Sequence, residues 1–475
     1  MTDHPSRTKI IVTLGPASAN EKTITEMMRA GVDVFRLNFS HGTHEVHQKT
    51  IEIIRKLNKS LSVNVAILVD LQGPKIRVGT LENDAIELQE EQEVILTTRN
   101  LKGNRNRIGV DFKDFARDVK ASETVLLDDG KIKLEVIESD GEENVRCLVK
   151  HGGKLLSRKG VNLPDSNLSL PSITEKDRKD AEFALKLRVD WMALSFVRKA
   201  RDVEALRNIL EKNGSSARII AKIEKPEAVR EIDAILDVSD AIMVARGDLG
   251  VEMPFDRIPL IQKDLVKRCI EMAKPVIIAT QMMESMISNF RPSRAEANDV
   301  ANAVLDGADA LMLSAETSIG EYPLEAVKSM QTIINWTEEH GYQFHREHRP
   351  DQEREDYLPN SICFNAQKMA EQSKASALIT FTHSGNTVFR VASHRPRARI
   401  FAFTDSEILL QQFSLVWGVQ AFLFSMTRSS DEFFEQTTAF LLEKDLIGSK
   451  DIIIHIGSIP IPERTDTNMM KISYA

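Results

Sequence analysis

Several short apolar runs in this 475-residue chain end in charged or hydroxyl side chains, and those tips are where chemistry is possible. The run Phe35-Arg-Leu-Asn-Phe-Ser-His41 alternates apolar and polar residues. Read as a strand over Val34–His41, it sets Arg36, Asn38 and Ser40 on one face. A parallel strand covered on both sides is normally apolar on both, so three polar groups on one face must meet something polar at the strand's end, or else lie on a solvated edge. The run Ile219–Glu224 brings Lys222 and Glu224 to one face, where a structural ion pair competes with a catalytic one. In Ala245-Arg-Gly-Asp-Leu-Gly250 a carboxylate, Asp248, sits on a glycine-containing turn that opens a helix. Glu224 and Asp248 on adjacent strands form a two-carboxylate site of the kind that takes Mg²⁺ (or Mn²⁺), and backbone N–H groups near Gly247 can hold an anion. Two further runs end in Thr280 and Ser314, the latter followed by Glu316. Arginine, lysine, carboxylate and threonine spread over separate strand tips suit a phosphorylated anion held through a metal.

The elements that must position these tips follow from periodicity. Short β-branched runs, Ile10–Leu14, Val34–His41, Val65–Asp70, Trp191–Val197, Ile219–Ile223, Ile242–Ala245, Val276–Thr280 and Leu311–Ser314, alternate with stretches at helical spacing such as Glu45–Leu57, Asp202–Lys212, Pro226–Val238 and Arg294–Ala303. Eight strand-plus-helix units predict a (β/α)₈ barrel, whose active sites lie at the C-terminal ends of the strands. Between about Gly73 and Pro171 the pattern changes to alternating strands with turn signals at Asp129-Gly130, Asp140-Gly141 and Gly152-Gly153. This predicts an inserted all-β domain leaving after the third barrel strand and acting as a lid. After about Gln343 a charged linker leads into a fresh αβ series with runs at Ala377–Phe381, Ile400–Thr404 and Ile452–Ile456, which predicts a C-terminal open-sheet α/β domain. The expected division is 1–73 with 172–345 for the barrel, 74–171 for the lid and 346–475 for the C-terminal domain.

Composition excludes several classes. The net charge of −8 without a lysine-rich tract argues against a nucleic-acid surface, and no run is long enough to span a membrane. The polar start, Met1 to Thr8, is not a secretory leader, and three scattered cysteines, Cys147, Cys269 and Cys363, form neither a zinc cage nor a disulfide framework. A reducing cytoplasm is expected.

The ordered segments Thr13-Leu-Gly-Pro16, Arg36-Leu-Asn-Phe-Ser-His-Gly42, Asp70-Leu-Gln-Gly-Pro-Lys-Ile-Arg77, Lys159-Gly-Val-Asn-Leu-Pro164, Lys222-Ile-Glu224, Ala245 to Gly250, Ala279-Thr-Gln-Met-Met-Glu-Ser285, Arg294-Ala-Glu296 and Asp299 to Ala303 strongly resemble the pyruvate kinases. The resemblance implies phosphoryl transfer from phosphoenolpyruvate to ADP, giving pyruvate and ATP, by a homotetramer. It implies that Glu224 and Asp248 bind Mg²⁺, that Lys222 and Arg36 neutralise the phosphoryl group in flight, and that Thr280 with the backbone of Gly247 and Asp248 holds the substrate carboxylate. Asn38, His41, Arg77 and Lys159 then face the nucleotide, and a water chain near Thr280, Ser314 and Glu316 is the route for the proton that the enolate takes up. A metal-dependent aldolase or lyase of pyruvate or phosphoenolpyruvate is the rival enzyme, but it leaves the lid, Arg77 and Lys159 without a use. A non-catalytic paralogue is disfavoured because every charged position assigned to catalysis is occupied.

Two further expectations concern control. The turn Thr382-His-Ser-Gly-Asn-Thr387 converges hydroxyls and amides on a helix N-terminus. The family resemblance places an effector phosphate there, at Thr382, Ser384, Gly385, Asn386 and Thr387. The segment Gly457 to Arg464 lacks the Trp- and Gly-rich loop that some relatives use for fructose bisphosphate, so the expected effector is another sugar phosphate or a nucleotide. In relatives that need K⁺, glutamate usually stands where Lys75 stands here. Asn38, Ser40, Asp70 and the Leu71 carbonyl match the positions that would ligate a monovalent cation, but the Lys75 ammonium brings its own positive charge and repels a second cation. K⁺ is expected not to be required.

Overall fold

The computed structural model describes residues 6–166, 168–341, 344–425, 429–460 and 465–475. The N-terminal Met1 to Pro5, the linker start at Gln343 and the Ile461 to Arg464 part of the late loop lie outside them. Eight parallel strands close into a barrel: β1 (Lys9–Thr13), β2 (Val34–Asn38), β3 (Ala66–Asp70), β4 (Trp191–Leu194), β5 (Arg218–Ile223), β6 (Ala241–Ala245), β7 (Val276–Ala279) and β8 (Ala310–Leu313). Each pairs in register with the next, and β8 pairs with β1. Closure leaves no strand edge unpaired.

Period-two alternation explains why the barrel carries its chemistry on one end. Ile11, Val34, Leu68, Ala193 and Ile220 belong to the apolar cluster filling the barrel. Two residues further along the same strands stand Thr13, Arg36, Asp70, Ser195 and Lys222, so one inward-facing layer is apolar and the next is polar. The opposite faces of the strands pack on the surrounding helices in a separate cluster. Ser40 departs from the expectation. β2 ends at Asn38, whose Oδ1 accepts the Ser40 N–H at 3.1 Å, so Ser40 lies in a turn and alternation does not govern it. The helix expected over Pro226–Val238 is broken in two, Pro226–Arg230 and Ile232–Val238, by a non-helical Glu231.

The insert after β3 is a six-stranded sheet plus a two-stranded one, with a short α-helical turn, Phe115–Asp118, a 3₁₀ turn, Glu82–Asp84, and its own apolar core. Its connections to the barrel are pinned. Gly73, at φ +70°, donates its N–H to Asp177 Oδ1 at 3.0 Å, while the other oxygen of Asp177 closes a capping box with Thr174 at the start of helix Glu175–Lys186. A side chain at Gly73 would meet Phe196 at 2.7 Å, so glycine is required on both counts.

The C-terminal sheet runs Val419–Leu423, Arg399–Thr404, Ala377–Phe381, Ile452–Gly457, Met469–Tyr474, the last antiparallel. Its two flanking strands, Val419–Leu423 and Met469–Tyr474, were not among the runs read from periodicity. The domain docks on the barrel floor, where the fully buried Leu415 joins the cluster that fills the barrel. Burying a leucine side chain contributes about 1.5–3 kcal/mol. The buried pair Arg395–Asp309, at 2.8 Å, ties the same two units together.

His455, in strand Ile452–Gly457, is 1% exposed, and burial pushes its imidazole down to about 3. A depressed folded value means that the unfolded chain binds the extra proton, so stability is retained above the unfolded value near 6.5 and falls as pH drops below it. Between pH 7 and pH 5 this group alone costs about 2 kcal/mol. We predict that His455→Leu lowers the melting temperature at pH 7, by losing the hydrogen bond with Thr437 Oγ1, yet shrinks the drop between pH 7 and pH 5. An unchanged drop in a thermal melt contradicts the assignment.

Candidate active site

At the C-terminal mouth of the barrel the polar layer forms a continuous network. Arg36 donates from Nη1 to Thr13 Oγ1 at 2.9 Å and from Nε to Asp70 Oδ2 at 2.8 Å. Lys222 Nζ lies 3.2 Å from Asp70 Oδ1 and 2.9 Å from Glu224 Oε1, and donates to Ser195 Oγ at 2.8 Å. Ser195 Oγ in turn donates to the Leu71 carbonyl at 2.7 Å, and Glu224 Oε2 accepts the Phe196 N–H at 2.8 Å. Lys222 and Glu224 therefore do form the ion pair that competed with a catalytic reading, but they form it inside a larger array at the strand tips.

The array is almost closed to solvent: Asp70 is 1% exposed, Glu224 2% and Lys222 8%. Burial pushes the Lys222 ammonium towards losing its proton, but Asp70 and Glu224 more than reverse this and hold it above the usual lysine range. Burial also raises Asp70, which Lys222 and Arg36 outweigh, leaving its carboxyl below the usual range. Glu224 is raised, first by burial and then by the neighbouring Asp248 charge, against the pull of Lys222.

That repulsion is the feature that fits a cation. Asp248 is half-buried at the start of helix Arg246–Glu252 and makes no ion pair among the described residues. An uncommitted carboxylate thus faces a buried one whose negative charge is already disfavoured. Among the described residues no group of three or more histidine, cysteine or acidic side chains is arranged as a metal cage. Two carboxylates with the rest of the shell left to substrate oxygens and water is the usual donor set of Mg²⁺.

Thr280, directly after β7, adopts φ +65°, and Gln281 follows at +54°. A β-branched residue in the left-handed region costs about 1–3 kcal/mol and persists only where its surroundings hold it. Here Arg246 holds it: Nη2 donates to the Thr280 carbonyl at 2.9 Å, while Nη1 pairs with Asp299 at 2.7 Å. The twist turns the Thr280 hydroxyl towards the helix that follows β6, where it accepts the Gly247 N–H at 2.7 Å. The loop behind is fixed by Glu296, which accepts Ser285 N–H at 2.7 Å. Glu316 accepts the N–H groups of Met283 and Ser314 at 3.2 and 2.7 Å, so both of its oxygens brace the loops after β7 and β8.

The remaining expected residues divide. Lys75 is exposed and lines the cleft between lid and barrel together with Asp248, Asn162, Phe196 and Arg198. Lys159 instead pairs with Asp128 at 2.8 Å, and Arg77 Nη1 donates to the Arg158 carbonyl at 3.2 Å, both on the lid. His41 is exposed, and its carbonyl accepts His47 Nε2 at 2.8 Å. In the C-terminal turn Thr382 Oγ1 accepts the Gly385 N–H at 2.8 Å and Thr387 Oγ1 meets Thr467 Oγ1 at 2.7 Å, while Ser384 is exposed and Asn386 opens helix Asn386–Ser393.

Sequence reasoning did not single out Ser195, or the strut in which Lys225 Nζ at 2.5 Å and Asn162 Nδ2 at 2.7 Å both reach Glu252 Oε1. Ser195 had a signal, a hydroxyl at the tip of an otherwise apolar strand run. The strut had none, because its members come from the lid, β5 and helix Arg246–Glu252.

Comparison with known proteins agrees with this geometry. A family model described as "Pyruvate kinase, barrel domain" matches residues 5–327 and one described as "Pyruvate kinase, alpha/beta domain" matches residues 360–473. Pyruvate kinases of Staphylococcus aureus strains MRSA252 and USA300 are each 42% identical over 98% of this chain and 80% of their own length. A solved pyruvate kinase from Cryptosporidium parvum superposes with a TM-score of 0.92 at 36% identity, covering 99% of this chain and 96% of that one. With both family domains matched in order on a barrel whose strand tips carry this array, the chain belongs to the pyruvate kinase family.

Proposed function

We propose that the chain moves the phosphoryl group of phosphoenolpyruvate to ADP through the array at the tips of β2, β3, β4 and β5. The bond between phosphorus and the enol oxygen breaks, a new one forms to a terminal oxygen of the ADP β-phosphate, and the enolate takes a proton at its methylene carbon to give pyruvate. The observation that carries this reading is Lys222, fixed by Asp70, Glu224 and Ser195 and kept charged beside Arg36. Such a transfer needs positioning and charge stabilisation more than a covalent protein partner. Arg36 and Lys222 neutralise the moving group. Thr280 and the backbone N–H of Asp248 orient the substrate carboxylate, while the Gly247 N–H, expected to share that role, is taken by the Thr280 hydroxyl. Glu224 and Asp248 would hold Mg²⁺ (or Mn²⁺), which would supply positive charge to offset that of the anionic substrate. With Glu316 committed to two backbone N–H groups, water beside Thr280 and Ser314 is left as the proton's route.

Asn38, His41, Arg77 and Lys159 belong to the nucleotide side of the cleft in this reading, with Arg77 and Lys159 carried inward by the lid. Lys75 takes the place of K⁺. Supporting that, Asp70 is engaged by Arg36 and Lys222, the Leu71 carbonyl by Ser195, and Asn38 Oδ1 by Ser40. A homotetramer fits the exposed apolar side chains Phe255 and Leu260 on the barrel and Ile472 and Tyr474 on the edge strand. A cytoplasmic location fits three buried free thiols, with burial pushing Cys147 and Cys363 up to about 12, and among the described residues no helix is long and apolar enough to cross a membrane.

Asp248→Asn and Glu224→Gln are each expected to lower the Mg²⁺-dependent rate by at least about a hundredfold while the far-ultraviolet spectrum is unchanged. Initial rates across a Mg²⁺ titration check this, and near-normal rates at moderate Mg²⁺ refute the metal assignment. For the turn at Thr382, Ser384, Gly385, Asn386 and Thr387, activation by a sugar phosphate or nucleotide is expected, with Ser384→Ala combined with Thr387→Val raising the activator's half-saturation about tenfold. An unaltered half-saturation counts against that site.

A further inference from the structure

The lid joins the barrel through two chain segments, and both are pinned. Gly73 holds the outgoing one through Asp177, and Arg198 holds the return, its guanidinium donating to the Leu168 and Leu170 carbonyls at 2.7 and 2.5 Å. Two hinges leave a body free to swing, so a contact away from both sets how far the lid closes. That contact is at Glu252, the last residue of helix Arg246–Glu252, whose Oε1 accepts from Lys225 Nζ at 2.5 Å and from Asn162 Nδ2 at 2.7 Å. We propose that Glu252 is a positioning residue that latches the lid, through Asn162, onto the two segments carrying the metal carboxylates, an inference that rests on the metal site assigned above.

The two segments are tied by one ion pair. Glu252 stands four residues after Asp248 on the same helix, and Lys225 directly follows Glu224. The Lys225 and Glu252 side chains are 10% and 1% exposed, so their pairing braces Glu224 against Asp248 from a buried position. Helix stability does not account for a carboxylate here, since Glu252 faces the negative end of the helix dipole. Its Oε2 is buried without a hydrogen-bond partner among the described residues, so both donors act on one oxygen and the loss of either is not made up by the other oxygen.

The lid supplies the second donor. Asn162 is half-buried on the lid strand Val161–Asn162, and because a carboxylate only accepts, its NH₂ group must face the barrel. Another lid segment meets the same helix: a Cβ at Gly130, in the turn Asp129-Gly130, would stand 3.7 Å from Val251 Cγ1. On the barrel side, Lys225 Nζ lies 5.9 Å from the centroid of the Phe196 ring. Phe196 is held at φ +56°, donates its backbone N–H to Glu224 and fills the space beside the hinge residue Gly73. Hinge, latch and metal carboxylate therefore meet around one residue. Arg77 and Lys159 ride on the lid, so a lid that is closed for a smaller fraction of the time binds nucleotide more weakly by that fraction.

Spin labels at Lys133→Cys on the lid and Glu204→Cys on the barrel, both exposed, read the closure in the full chain, because the three native thiols are buried. Without substrate, Asn162→Ala is expected to broaden the distance distribution between the labels. It should also raise KM for ADP about tenfold, with a smaller fall in kcat. Asn162→Asp sets two carboxylates against each other and is expected to raise KM further. Combining it with Glu252→Gln restores one donor and one acceptor, and should bring KM back to within about threefold of the wild type. Asn162→Ala with wild-type distances and KM overturns the proposal, and so does a folded double variant that recovers none of the loss. If the double variant does not fold, Asn162→Ala decides alone. The label distances need neither metal nor substrate, so they judge the latch by themselves, whereas a wild type that makes no ATP contradicts the transfer reading instead.

Discussion

Replacing Lys222 by methionine is expected to lower kcat about a thousandfold, roughly 4 kcal/mol of lost transition-state stabilisation, with a much smaller change in KM for phosphoenolpyruvate. The size follows from the position. Among the described residues Lys222 is the only ammonium at the centre of the array, and it touches Asp70, Ser195 and Glu224 at once. The substitution also removes a charge that two buried carboxylates need, so a loss of stability of about 3–5 kcal/mol accompanies it, moderated because Asp70 keeps Arg36. Arginine should not rescue the rate, since a planar fork does not replace a point charge in this space. Because Asp70 and Glu224 hold Lys222 above the ordinary lysine range, wild-type activity should show no loss of this charge between about pH 6 and pH 9. Steady-state kinetics with a melting curve on the same sample check all of this, and a variant with near-normal kcat refutes the role.

Lys75 governs the second large effect. The wild type is expected to work at the same rate, within about twofold, in K⁺-free buffer and at saturating K⁺, whereas Lys75→Glu should become K⁺-dependent by about tenfold or more. The exposed ammonium lines the same cleft as Asp248, so its charge is available to the substrate phosphate, and a carboxylate in its place inverts that field. Rates at matched ionic strength, with and without K⁺, decide it. Strong activation of the wild type by K⁺ contradicts the expectation, and so does a variant that stays indifferent.

The barrel and the charged strand tips were legible because both obey short-range rules. Period-two alternation lifts Arg36 from Val34 and Lys222 from Ile220 onto the mouth without any knowledge of neighbours. Ser40 shows where the rule stops: the polar alternation runs through His41, but the chain leaves the sheet at Asn38, whose side chain caps the turn. Thr280 was legible as a polar tip but not as a left-handed residue, because β-branched side chains disfavour that conformation and Arg246 and Gly247, from the helix after β6, hold it there. Asp70 was read as a possible cation ligand, whereas its ion pairs with Arg36 and Lys222 join strands far apart in sequence. The missed strand Met469–Tyr474 is an exposed sheet edge, where no buried face imposes a clear hydrophobic pattern.

The central claim is direct transfer from the enol phosphate to ADP. It is tested by following pyruvate and ATP together from phosphoenolpyruvate and Mg²⁺, with ADP present or omitted. The account predicts pyruvate and ATP in a one-to-one ratio with ADP, and no pyruvate without it. Pyruvate released at a comparable rate in the absence of ADP, or released without ATP, would contradict it.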